Sequence, residues 1–129
     1  MSGGFTPKLK TTTDNVNPQA SFLASEHYMW KRGGITLDAT TVGADADGNK
    51  ILEAGTLVGK LDSNGKYAAY ANGNSDGSQT AVGIIGESVN LKDGDVICGL
   101  LLHGSVIEAR TSGADATGKT DLAGRIIFQ

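Results

Sequence analysis

Apolar and polar positions alternate along this chain only in short bursts, and turn residues interrupt them every few positions. Ile35-Thr36-Leu37 is an apolar-polar-apolar triplet that predicts a short strand, and Thr56 to Leu61 and Lys66 to Tyr70 predict two more. Asn64-Gly65 stands between the last two. Asn-Gly between apolar runs is the strongest short-range hairpin signal, because a type I′ turn needs positive φ at both central residues. A hairpin is therefore expected here. Asn72-Gly73, Asp76-Gly77 and Asp93-Gly94 add further turn signals. Thr80 to Ile85 predicts another strand, with Gly83 marking a bulge or the close approach of another backbone. Val96 to Leu102 is continuously apolar apart from Gly99, which suits a strand buried on both faces and is short for a helix. His103-Gly104 is expected to turn that strand into a hairpin with Ser105 to Ala109, and Arg125 to Phe128 should return to the sheet. Upstream, Gln19 to Arg32 mixes apolar and polar residues, and Phe22, Leu23, Tyr28, Met29 and Trp30 suit an irregular extended strip. The chain shows no internal repeat and no sustained amphipathic helix. Short strands at this spacing indicate a small sandwich, barrel or clip-like β domain.

The chain before this region reads differently. Residues 1–18 are polar, with Phe5, Leu9 and Val16 scattered among them and Pro7 and Pro18 interrupting any helix. Thr11, Thr12 and Thr13 favour extended backbone. Alone, such a segment buries too little apolar surface to offset its ordering entropy. It reads as a free arm, able to order by adding a strand to the edge of a partner's sheet. A tail without a role is the plainer alternative.

Composition narrows the class of protein. Glycine supplies 19 of 129 residues, about twice the usual frequency, while proline supplies 2. That excess fits many short strands joined by turns, since glycine weakens helices and tolerates positive φ. The length suits one domain with a real core. A formal net charge of -3 offers no basic excess for a phosphate backbone, so no specific nucleic acid is expected as a partner. The lone cysteine, Cys98, has no internal disulfide partner, and its apolar flanks make it a small buried hydrophobe. The start of the chain carries no apolar run of the kind found in secretory signals, and no stretch approaches the length of a membrane helix. Synthesis in the cytoplasm and no membrane association are the expectations.

Three motifs hint at chemistry. Gly113-Ala114-Asp115-Ala116-Thr117-Gly118-Lys119-Thr120 matches the phosphate-cradling P-loop pattern. That loop works between a buried parallel strand and a long helix, and here 9 residues follow Thr120, with Gly124 among them. Nucleotide binding is thus not expected, and ATP or GTP affinity lost on Lys119→Ala would reverse that reading. Asp45, Asp47 and Asn49 resemble the start of an EF-hand, but the sixth and twelfth positions hold Lys50 and Thr56 in place of glycine and glutamate. An acidic surface turn is the better account. His27 and His103 lack metal-ligand spacing, and no nucleophile elbow is visible. No catalytic residue, metal or cofactor is expected, and the chain does not read as an enzyme.

The stretch from Gly55 to Gly86 carries a resemblance. Gly55-Thr56-Leu57-Val58-Gly59-Lys60-Leu61, then Gly65-Lys66-Tyr67, then Ser75-Asp76-Gly77-Ser78-Gln79-Thr80-Ala81-Val82-Gly83-Ile84-Ile85 resembles the phage head-decoration proteins related to lambda's protein D. In them an AGTVLGK-like strand and a GKY-like hairpin precede an SDGSQTAVGIL-like segment. Phe22-Leu23-Ala24-Ser25-Glu26 is similar to the family's FLVSEA-like opening, and Ile35-Thr36-Leu37 to the strand that follows it. Leu102-His103-Gly104-Ser105-Val106 is similar to its VHGAV-like hairpin, and Ile126-Ile127-Phe128 to its closing strand. The resemblance runs from Phe22 to the end. It departs at 42–49, which looks longer than the family's turn, and at 111–124, where relatives carry a longer and more helical stretch.

The resemblance implies a mainly β fold: a small single domain, clip-like or barrel-like, over 22–129; the segment before it, 1–21, reads from its own residues as an extended arm. It also implies a virion protein on the outer surface of an expanded icosahedral capsid. There a homotrimer would bind the major capsid protein at local three-fold sites and stabilise the shell. The arm, with Phe5, Leu9, Thr11, Thr12, Thr13 and Val16, is the candidate capsid contact. Tyr28, Met29 and Trp30 form a candidate subunit or capsid interface, rich in residue types favoured at hot spots; packing into the core is the competing role. A tail or spike β module that binds glycans is the alternative function.

Overall fold

The computed structural model describes residues 22–129, and at 25–27 the backbone alone. Its strands are β1 (Leu23–Trp30), β2 (Ile35–Leu37), β3 (Ile51–Leu52), β4 (Leu57–Lys60), β5 (Tyr67–Ala69), β6 (Gly83–Ile85), β7 (Val89–Asn90), β8 (Val96–Cys98), β9 (Leu100–Val106) and β10 (Ile126–Phe128). Among the described residues the short helix α1 (Ala116–Asp121) and the 3-10 turns Ala39–Thr41 and Glu108–Arg110 join them. The fold is mainly β, as the turn spacing indicates.

The main sheet runs in the order β1-β9-β6-β4-β5-β2-β8, and β10 pairs with β9 in parallel. Only Gly99 separates β8 from β9, so both ends of the path from β9 to β8 lie on one bent strand. The sheet thereby closes into a small barrel. Along one edge of that bent strand, β1 pairs with β9 and β2 with β8, both antiparallel. The Lys31 amide donates to the Leu100 carbonyl at 2.8 Å and continues the ladder between them. The opposite edge of β9 receives β6 near its start and β10 near its end. Beyond the barrel, β1, β9 and β10 form a three-stranded extension. A separate ribbon pairs β3 with β7.

Two apolar clusters sit on opposite faces of the central strands. Leu57, Ile84 and Leu101 join Phe22, Tyr70, Val106, Leu122 and Ile126 on one side. Their sequence neighbours Val58, Ile85 and Leu100 join Ile35, Leu37, Leu91 and Cys98 on the other, inside the barrel. Successive side chains on a strand point to opposite faces, so burial on both sides leaves no polar position. The continuous apolar reading of Leu100-Leu101 is explained in this way.

Several local expectations change. The Asn64-Gly65 hairpin is present, with Val58 opposite Ala69 and Lys60 opposite Tyr67. Its loop is longer than a two-residue turn, however: the Leu61 amide donates to the Lys66 carbonyl at 2.7 Å, and the Gly65 amide to the Leu61 carbonyl at 3.1 Å. Gly65 takes the positive φ of 72° that closes this wider loop. Val96 to Leu102 is not one strand buried on both faces, because Gly99 breaks it and Ile97 is 69% exposed. The His103-Gly104 turn does not exist. Both residues lie within β9, held there by pairing to Met29 and Tyr28 of β1. The predicted strand over 80–85 shrinks to Gly83–Ile85, since the Thr80 amide is drawn into a turn on the Gly77 carbonyl. Gly83 does mark a close approach: a Cβ there would stand 2.7 Å from the Leu101 carbonyl oxygen.

Candidate interaction surface

β1 is an edge strand. Among the described residues it pairs with β9 alone, leaving its outer backbone edge open. The proposed trio Tyr28, Met29 and Trp30 lies at its end and does not act as one unit. Trp30 is partly buried, its indole lying over Gly86 and Gly99, where a Cβ on Gly86 would run into the ring. It packs β1 onto the barrel. Tyr28 meets it edge-on, with ring centroids 5.9 Å apart and planes at 70°, yet remains 47% exposed. Met29 points to the other face and is 59% exposed.

Pairing register shows what accompanies Met29. It stands opposite His103, and Ile127 of β10 stands opposite Ser105. His103 and Ser105 are two apart on β9, so all four side chains share one face of the extension. His103 is exposed and Ile127 is 61% exposed, which gives that face an apolar pair around a polar centre. The sequence reading missed Ile127, assigning it only to a closing strand. Alternation within Ile126-Ile127-Phe128 was the available signal, since a strand with Ile126 buried must turn Ile127 outward. Phe5, Leu9, Thr11, Thr12, Thr13 and Val16 lie outside the described residues.

The motifs that hinted at chemistry have structural roles. Asp115 caps α1, its carboxylate accepting from the Gly118 amide at 2.7 Å and from the Tyr70 hydroxyl at 2.8 Å. Those bonds hold its carboxyl below the usual carboxylate range. The helix start thus faces its own anion, where a P-loop would present free amides to phosphate. Lys119 pairs with Glu108 at 3.1 Å, and Gly118 is small because Tyr70 and Leu57 pack against it. In the Asp45 turn, the Asp45 carboxylate accepts from the amides of Asp47 and Asn49, both at 2.9 Å. Among the described residues no three His, Cys, Asp or Glu side chains gather as a metal site would require. Cys98 is buried, and burial, helped by the Glu87 charge, pushes its thiol up to about 12. No helix among the described residues is long and apolar enough to cross a membrane.

A polar cluster that sequence reading did not find braces one end of the barrel. Asp38 accepts from the Thr40 amide and hydroxyl and, through its other oxygen, from the Asn64 side-chain amide at 3.0 Å. Asp95 accepts from the Ala39 amide at 2.9 Å and pairs with Lys66 at 2.6 Å. Hydrogen bonds from Thr40 hold the Asp38 carboxyl low, and the Ala39 amide does the same for Asp95. Only the Asp38-x-Thr40 capping pattern was legible in one dimension. These groups serve structure; among the described residues the open edge of β1 and the Met29–Ile127 face are two surfaces with exposed apolar side chains, and Ile51 and Ile97 are exposed elsewhere.

No curated protein sequence matches the chain. The family described as bacteriophage lambda head decoration protein D matches residues 11–121. The match starts before the point at which the sequence resemblance begins, taking in Thr11, Thr12, Thr13 and Val16, and stops short of β10. Covering most of the chain, it makes this protein a member of the lambda head decoration protein D family, with a structural role in decorating a bacteriophage capsid.

Proposed function

We propose that the protein binds the outer surface of an expanded capsid as a homotrimer, at local three-fold sites of the major capsid protein lattice, and stabilises the shell. The observation that carries this reading is the edge strand β1, which among the described residues is open along its outer side and ends in exposed Tyr28 and Met29. An open edge with apolar side chains is a site for pairing with another chain. The segment that leads into β1 is residues 1–21. In this reading it is the capsid-contacting arm, with Phe5 and Leu9 as apolar anchors and Thr11 to Thr13 extended along a partner strand. Three arms on one trimeric body bind with far higher avidity than one arm alone. The role is structural and without catalysis, which agrees with Asp115 and Glu108 engaging the groups that a P-loop would offer to a nucleotide.

Sizing the purified chain and then sedimenting it with empty expanded shells tests the proposal. A trimer that co-sediments is the expected result. Removing 1–21 should abolish co-sedimentation while the melting transition stays cooperative, because the strands of 22–129 build two apolar clusters of their own. Undiminished binding by the shortened chain would remove the arm from the account. Met29→Asp and Ile127→Asp, both at exposed positions, should weaken trimer or shell binding with little change in stability.

A further inference from the structure

We propose that Asn72 is a site of spontaneous covalent modification, in which the folded chain converts it to a mixture of aspartate and isoaspartate while Asn64 is spared. Both asparagines are followed by glycine, the neighbour that least hinders attack on the side-chain amide. In that reaction the backbone nitrogen of the glycine forms a bond to the asparagine Cγ. The Cγ–Nδ2 bond breaks, and the glycine amide proton passes through water to the departing ammonia. Water then opens the resulting succinimide at either carbonyl, leaving a normal or an isomerised acidic residue. The net change is consumption of one water and release of one ammonia, and no other reactant is required.

The two sites differ in how tightly the reacting atoms are held. At Asn64 every one of them is engaged. Its Nδ2 donates to Asp38 at 3.0 Å, its Oδ1 accepts from the Lys66 amide at 2.9 Å, and the Gly65 nitrogen donates to the Leu61 carbonyl at 3.1 Å. Attack there requires these bonds to open together. Asn72 and Gly73 sit in the run of exposed residues 71–76, and neither the Asn72 side chain nor the Gly73 amide has a hydrogen-bond partner among the described residues. Every other described asparagine is tied down. Asn74 donates to the Ser78 hydroxyl at 2.8 Å, Asn90 donates to Asn49 at 3.1 Å, and Asn90 also accepts from the amides of Lys50 and Lys92. Buried Tyr70 and Ser78 anchor the segment on both sides, so the change at its tip leaves the fold standing.

Incubating the full-length chain at mildly alkaline pH, followed by tryptic digestion and tandem mass spectrometry, tests the proposal. Cleavage after Lys66 places Asn64 and Asn72 in different peptides. In the folded chain, Asn72 should convert at least about tenfold faster than Asn64, because reaction at Asn64 must wait for local opening. In urea the two rates should converge. Comparable rates in the folded chain, or no conversion at Asn72 under conditions where the unfolded chain reacts, would overturn the proposal. Asn72→Gln should remove the acidic species that accumulates on isoelectric focusing; its persistence in that variant would also count against the site.

Discussion

Single residues set the pH range over which this fold holds. Tyr70 is raised from 10.0 to about 12, chiefly by burial and then by the Asp115 carboxylate, and Cys98 from 9.0 to about 12 by burial. A group whose folded value lies above its unfolded value contributes stability in full below the unfolded value and loses it as pH rises. The urea midpoint should therefore fall as pH climbs from 9.0 toward 12, and Tyr70→Phe with Cys98→Ala should flatten that decline. The carboxylates act with the opposite sign. Asp38, Asp76, Asp95 and Asp115 are all held below 3.8, so their contribution is present above that value and is lost on further acidification. Asn64→Asp is the sharpest test of the polar brace. It replaces a donor 3.0 Å from Asp38 with a second carboxylate and should cost about 1–3 kcal/mol near neutral pH, read from urea unfolding. Beyond the Asp38-x-Thr40 capping pattern, this was not visible in one dimension. Asp38, Asn64 and Asp95 are far apart in sequence, and only folding makes them neighbours.

At the scale of elements, short-range patterns were legible where one rule acted alone and failed where long-range pairing intervened. Ile35-Thr36-Leu37 reads correctly because its alternation survives in the structure, with Ile35 and Leu37 inside the barrel. Asn64-Gly65 indicated the hairpin but not its loop, whose wider form includes a donation from the Asn64 side chain to the distant Asp38. His103-Gly104 looked like a turn and is strand, because β1 and β10 grip β9 from both edges. Trp30 could not be divided from Tyr28 and Met29 in the sequence, since its pocket is made by the distant glycines Gly86 and Gly99. Gly86→Val should force the indole out, with an overpacking cost of about 1–3 kcal/mol. Trp30 is the only tryptophan, so a red-shifted emission together with a lower Tm checks this directly. Trp30→Ala should likewise lower Tm. Met29→Asp should leave it unchanged, which separates the packing residue from the surface residue beside it.

For the whole molecule, the bent strand through Gly99 has a consequence in time. The segment that closes the barrel belongs to the last third of the chain, and β1, made first among the described strands, has no partner until β9 exists. Leu23 must find Val106, and Ile126 must then settle beside Gly104. Pairings so distant in sequence make folding slow relative to helical proteins of similar size. A nascent chain halted before β9 has no closed sheet to form, so protection of β4 and β6 amides from exchange should appear only after the full chain leaves the ribosome. Pulse-labelled hydrogen exchange on stalled chains would show this. A protein that decorates a capsid is thus itself assembled late, its sheet closing only when β9 arrives.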